Sequence, residues 1–238
     1  MKIGITLPQF RHDAEPAIGV AREAEAAGLD GVFVFDHLWR IAQPEGPALH
    51  GSTLLAALAV ETGRVVVGSL VARIGLVPDA VLVHSFATLN RMAPGRLVAG
   101  LGVGDVISKS ENLAYGVPFP PAAERRASLS GCCRRLRALG ITTWVGGLST
   151  ATRAVGWAEA DAVNLWAVDP TAVAAEVESA APVAVSWGGR LDVGRGGAAA
   201  PTLRSLAAAG ATWAVVAPVG VSWEAAVDAT ARAAQGLP

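Results

Sequence analysis

Residues 31–39 read Gly31-Val32-Phe33-Val34-Phe35-Asp36-His37-Leu38-Trp39. An unbroken apolar run of this kind is what a strand buried on both faces requires. It stops on an acid, a histidine and a tryptophan. In parallel α/β folds, ligands bind beyond the carboxyl ends of the strands. Asp36 and His37 are therefore candidate site residues. The plain alternative is that Asp36 caps a turn, His37 lies on the surface and Trp39 packs in the core. The rest of the chain decides between the two.

Working outward from this stretch, the same unit recurs. A short strand over 2–7 ends at Pro8-Gln9, and an Ala-rich helix over 14–27 is stopped by Gly28. After the strand at 31–35 comes a loop over 38–52, long enough to suggest function. Further strands are expected at 64–71, 96–101, 142–145, 161–166, 182–187 and 212–217, and further helices at 53–62, 79–92, 122–139, 150–159, 170–179, 201–209 and 222–235. The stretch from 106 to 121 reads as polar and poorly periodic, and Gly188–Gly197 as a glycine-rich loop. Strand–helix alternation implies a parallel sheet. Eight such units in 238 residues imply a single closed (β/α)8 barrel over 1–238, lean beside the ~250 residues usual for that fold. An open doubly wound sheet with an appendage is the competitor.

Composition narrows the functional classes. The formal net charge is −1 and 52% of residues are hydrophobic. No basic excess points to nucleic acid or an anionic membrane, and no apolar run is long enough for a membrane span. Cys132 and Cys133 are adjacent in a predicted helix, where neighbours point in different directions. A disulfide or zinc site is not expected there, which fits a reducing cytoplasm. Lys2 and Lys109 are the only lysines, a bias read as genome composition.

Chemistry in a barrel is expected where strands hand over to helices. The four histidines are His12, His37, His50 and His84. His37 alone clearly falls at a strand end, so a His-rich metal site is not expected. There is no Gly-x-Ser-x-Gly elbow and no lysine at a strand end for a Schiff base. Gly146-Gly147-Leu148-Ser149-Thr150 joins a strand to a helix, and its amides and hydroxyls suit an anion; a plain turn is the other reading. Gly100-Leu101-Gly102-Val103-Gly104 lacks the dinucleotide spacing, but would let a flat ligand approach the backbone. Trp144, Trp157 and Trp213 are read as packing residues. Arg125, Arg126, Arg134, Arg135 and Arg137 are read as one solvated helix face, with a role in a homodimer interface as the alternative.

Taken together, "KIGITLPQF", "AREAEAAGLDGVFVFDHLW", "RVVVGSLV", "PDAVLVHSFATLNRMAPGRLVAGLGVGD", "ENLAYGVPF" and "WVGGLSTATRAVGWAEADAVNLW" resemble the bacterial luciferase-like flavin and deazaflavin oxidoreductases. The resemblance covers nearly the whole chain and is most specific over 78–105. It implies a barrel that binds FMN or coenzyme F420 across its mouth. Asp36 and His37 would line the reacting face of the ring, with Trp39 near a small-molecule substrate. A non-prolyl cis peptide bond is implied at Ser69-Leu70, backing the ring. Asp105 matches the acid that ends the fourth strand in the sugar-dehydrogenase branch, next to Gly104. The turn of Gly146, Gly147, Leu148, Ser149 and Thr150 would hold the cofactor phosphate.

On this resemblance His37 is the general acid/base, and Asp36 orients it or contacts the ring. Hydride transfer and monooxygenation are both open, as are F420 and FMN. A homodimer is the implied assembly. Relatives carry longer insertions after the fourth and seventh strands, so either the substrate is large or carried by another chain, or the pocket is open. A non-catalytic flavin- or F420-binding barrel, or another phosphate-binding barrel enzyme, are the alternatives.

Overall fold

The structure is a computed structural model that describes residues 1–41, 43–44 and 46–237. Its elements follow in chain order: β1 (Lys2–Thr6), α1 (Glu15–Ala26), β2 (Gly31–Val34), α2 (Gly51–Glu61), β3 (Val66–Ser69), β4 (Ala72–Arg73), α3 (Asp79–Met92), β5 (Leu97–Gly102), α4 (Val106–Ala114), α5 (Ala122–Ala138), β6 (Thr142–Gly146), α6 (Thr150–Glu159), β7 (Ala162–Trp166), α7 (Pro170–Ala180), β8 (Ala184–Asp192), α8 (Ala199–Ala208), β9 (Trp213–Val219) and α9 (Trp223–Ala233).

All strand pairings are parallel, and the sheet closes through β1 on β9 and β3 on β5. β3 and β4 are two pieces of one stave, both paired to β5 and interrupted at a cis Leu70–Val71 bond. The nine strands therefore make the eight staves of a (β/α)8 barrel. The implied cis bond is present one residue later than Ser69-Leu70.

Two apolar layers follow from the strand period of two. Residues pointing outward meet the helices. Residues pointing inward fill the barrel, and Phe33, Trp144 and Trp213 form its plug. The Phe33 ring stacks on Trp144 at 5.4 Å, and Trp213 meets both edge-on at 5.8 and 5.6 Å. Glycines make room for them: a Cβ at Gly4 or Gly68 would fall 2.7 or 2.6 Å from the Phe33 ring, and one at Gly31 3.0 Å from Trp213. Trp144 and Trp213 are thus core residues. Trp157 packs against the outer layer, its Nε1 donating to Glu176 at 2.8 Å.

Three sequence expectations change. The stretch after Asp105 contains helix α4, whose amphipathic pattern is inverted. Its buried face is Ser108, Glu111 and Asn112, while Val106 is 84% exposed. β8 runs through Gly188 and Gly189 to Asp192, rather than giving way to a loop at Gly188. Side chains there would collide with Trp166 on one face and Trp187 on the other, at 2.9 and 2.5 Å. Arg125 is buried, not solvated: Nε donates to the Pro120 carbonyl at 3.0 Å and the guanidinium lies 3.7 Å over the Phe119 ring. It also donates to the carbonyls of Val103 and Gly104, pinning the exit of β5. Arg134, Arg135 and Arg137 keep the expected exposure and pair with acids on neighbouring elements.

Candidate active site

The end of β2 is fixed from both sides. Gln9, wholly buried past the end of β1, donates through Nε2 to the carbonyls of Phe35 and Leu49 at 2.8 and 2.7 Å. Its Oε1 accepts the Phe35 N–H at 2.8 Å. The start of α2 presses on the same carbonyl, so that a Cβ at Gly51 would lie 2.6 Å from it. Asp36 and His37 therefore leave a clamped strand end and not a free loop.

His37 Nδ1 lies 2.7 Å from Oε1 of Glu111. Glu111 is 0% exposed, and its Oε2 accepts the Leu38 N–H at 3.1 Å and faces Nη2 of Arg73 at 3.0 Å. Arg73, 3% exposed, also donates to the carbonyls of Asp36 and Ser108 at 2.9 and 3.1 Å. Oδ2 of Asp36 accepts the Arg73 N–H at 2.7 Å. One network thus joins β2, β4 and α4. Glu111 and Arg73 are the site residues that sequence reasoning missed.

The charges in this network differ in environment. Burial works against ionisation of Glu111, but the His37 hydrogen bond, the Leu38 N–H and the Arg73 guanidinium hold its carboxyl below the ordinary range. Burial pushes the Asp36 carboxyl up, and the Arg73 N–H and charge offset only part of that. A buried carboxylate at Nδ1 fixes Nδ1 as the protonated nitrogen of His37. Nε2 has no partner among the described residues and is the atom left to exchange a proton.

His37 opens into a cleft of about 1210 Å³ at the carboxyl ends of the strands. Asp36, Leu70, Gly104, Asp105, Gly146, Gly147, Leu148 and Ser149 line the same cleft, as do Arg73, Asn164, Trp166 and Arg190. Leu70 and Val71 form one wall. At the far side, Ser149 caps α6, its Oγ accepting the Thr152 N–H at 3.2 Å. No acceptor among the described residues takes the N–H of Thr150 or Ala151, the first two of α6. Arg153 braces this turn by donating to the Leu148 carbonyl at 2.6 Å while pairing with buried Glu176 at 3.0 Å.

Several candidates are placed otherwise than expected. Ser69 turns into the wall, its Oγ donating to the Gly100 carbonyl at 2.7 Å. Trp39 packs beside Tyr115, ring centroids 6.1 Å apart, and is not among the cleft residues. Thr150 is exposed outside the cleft lining. Asp105 caps α4, accepting from Ser108 N and Oγ at 2.9 and 3.0 Å. Burial opposes its charge, yet those bonds hold its carboxyl below the ordinary range. Gly100 and Gly102 serve the fold before any ligand: a Cβ there would meet the Ser69 carbonyl oxygen at 2.0 Å and Val71 Cγ2 at 2.5 Å. His50 meets Thr53 Oγ1 at 3.1 Å, and neither it nor His12 lines the cleft.

The sequence profile of the luciferase-like monooxygenases matches residues 1–235. The F420-dependent glucose-6-phosphate dehydrogenase of Kineococcus radiotolerans is 36% identical over 124 residues, 50% of this chain and 35% of that protein. The chain thus matches about a third of that relative's length. Among solved structures, an F420-dependent secondary alcohol dehydrogenase in complex with an F420–acetone adduct superposes with a TM-score of 0.81 at 14% identity, covering 98% of this chain and 97% of that one. A monooxygenase from Streptomyces bottropensis superposes at 0.70 with 16% identity, covering 98% and 97%. At these identities the structural likenesses establish the fold.

Proposed function

The chain belongs to the luciferase-like monooxygenase family, and from that premise we propose that it is an oxidoreductase that binds coenzyme F420 or FMN in the barrel mouth and acts on a small organic substrate. The observation that carries this reading is the His37–Glu111–Arg73–Asp36 network on the rim of the cleft. The relative from Kineococcus radiotolerans is named as F420-dependent, which supports F420 alongside FMN.

The residues fit such a group. The cleft is larger than the ~300–1,000 Å³ usual for small-molecule pockets, so a tricyclic ring and a substrate can share it. Leu70 and Val71 offer the ring an apolar wall. The turn of Gly146, Gly147, Leu148 and Ser149 lines the cleft and leads into the N-terminus of α6, which suits its phosphate. When bound, the cofactor supplies the redox chemistry.

The chain supplies proton handling and position. Nε2 of His37 gives or takes the proton on the substrate side, and ionised Glu111 at Nδ1 stabilises the imidazolium. Arg73 keeps Glu111 charged and in place. The Asp36 backbone carbonyl and Oδ2 hold Arg73. Asp105 is kept here as a cleft acid with a capping duty. We also read the chain as a cytoplasmic homodimer. The free thiols of Cys132 and Cys133 support a reducing compartment, and exposed Val60 and Val81 on α2 and α3 support pairing through those helices.

The test follows cofactor absorption in the presence of the protein and a panel of alcohols and sugar phosphates, with and without oxygen. Substrate-dependent change is expected with wild type. His37→Ala should bind the cofactor as before and lose turnover by roughly 10²–10⁴-fold. Unchanged turnover in that variant would remove His37 from the mechanism.

A further inference from the structure

Resting on the reading of the cleft as a cofactor site, we infer that the substrate carries an oxyanion group, phosphate or carboxylate, and that Arg190 receives it. Along β8 the inward series is Ser186, Gly188 and Arg190. Ser186 is bonded to the cleft residue Asn164 at 3.0 Å, and Gly188 abuts Leu70 and Trp166. Arg190 is the member of that series that lines the cleft, and it is exposed at the mouth. It stands on a paired strand, opposite Ala217 of β9, so its base is rigid while its head is free.

Among the cations that line the cleft, Arg73 is held by Glu111, whereas the side chains of Arg11, Arg40 and Arg190 have no hydrogen bond or ion pair among the described residues; of these three only Arg190 stands within a paired strand. The nearest acid in sequence, Asp192, is spoken for: its Oδ1 accepts the Gly194 N–H at 2.9 Å and packs against Gly220. The acids that line the cleft, Asp36 and Asp105, follow β2 and β5, on the other side of the barrel. An unpaired guanidinium at the mouth of a cleft draws anions toward itself and can grip them with two parallel bonds.

Its position separates this group from the cofactor's own anion. The apolar wall belongs to the β3–β4 stave and the amide turn to β6, so the cofactor takes the arc from β3 to β6. Arg190 lies two staves beyond that turn, on the arc that runs through β9 and β1 back to His37. Phe10, Pro218 and Trp223 line this second arc. A substrate whose anionic end rests on Arg190 lays its remaining carbon skeleton toward Nε2 of His37.

Calorimetric titration of the full chain, with and without F420 or FMN, tests the inference. The probes are glucose 6-phosphate and citrate, with glucose as the neutral control. Wild type should bind at least one of the two anions more tightly than glucose. Arg190→Gln should weaken that binding about tenfold, as loss of a charge-assisted pair does, and Arg190→Lys should restore part of it. Arg204→Gln, exposed on α8 outside the cleft, should change nothing, and cofactor affinity should be equal in all four proteins. Preference for the phosphate or for the carboxylates identifies which oxyanion the site takes. Anions binding no better than glucose, or anion affinity unchanged in Arg190→Gln, overturns the inference. An equal loss of cofactor and anion binding in Arg190→Gln also overturns it, by giving Arg190 to the cofactor. If wild type binds neither F420 nor FMN but keeps Arg190-dependent anion binding, the anion site stands and the cofactor reading falls.

Discussion

At the scale of single residues, the chemistry turns on which carboxylate serves His37. Asp36 is adjacent in sequence, but its Oδ2 is bound to the Arg73 amide, and Glu111 holds Nδ1. Glu111→Gln keeps the shape and removes the charge; turnover should fall by about 10–100-fold with cofactor binding retained, part of the 10²–10⁴-fold a positioned acid/base supplies. Glu111→Ala should cost stability as well, about 3–5 kcal/mol by denaturant unfolding, because buried Arg73 loses its counter-charge. The two acids also have opposite pH signatures. Glu111 is lowered in the native state, so its stabilisation is full above its ordinary value of 4.5 and fades as pH falls through the native value. Asp36 is raised, so its contribution is full below its ordinary value of 3.8 and is lost as pH rises through the native value. Asp36→Asn should therefore melt at or above the wild-type temperature at neutral pH and lose that advantage in acid. A variant less stable than wild type at neutral pH would contradict the raised carboxyl. His37 and Asp36 were legible in the sequence because they end an apolar run. Glu111 was not, since 74 residues separate it from His37 and only the fold brings them together.

At the scale of elements, α4 explains why Glu111 went unread. Helices are recognised by apolar residues that face the core, and here the apolar residues face out while Ser108, Glu111 and Asn112 face in. The remaining signal was its cap, Asp105 followed three residues later by Ser108. Asp105→Ala should destabilise by about 1 kcal/mol through the lost cap, and by loosening α4 it should also weaken the hold of Glu111 on His37. Thermal melting and the pH profile of turnover, taken together, check this; a stability loss with an unchanged profile would separate α4 from the site. The glycine run on β5 was legible as special, and the structure adds Val71 as a side chain it makes room for. Gly102→Ala would drive a methyl into Val71 and should cost about 1–3 kcal/mol. β8 was read short because glycines in a strand look like a break, whereas Trp166 and Trp187 occupy the space their side chains would need.

At the scale of the whole molecule, strand–helix alternation was enough to give the closed barrel, because each βα unit repeats one local pattern. What alternation could not give is the filling of the barrel, which depends on residues far apart in sequence. Phe33 sits among Trp144 and Trp213 with glycines on three sides, and Phe33→Ala should lower unfolding free energy by about 3–5 kcal/mol without moving the rim residues. That plug closes the barrel below the cleft, so the mouth is the end open to ligands. The central claim is that this mouth holds a flavin or deazaflavin ring. Fluorescence titration of the purified chain with F420 and with FMN tests it most directly. Saturable binding of one of them, unaffected by His37→Ala, is the predicted result; no binding of either would contradict the account.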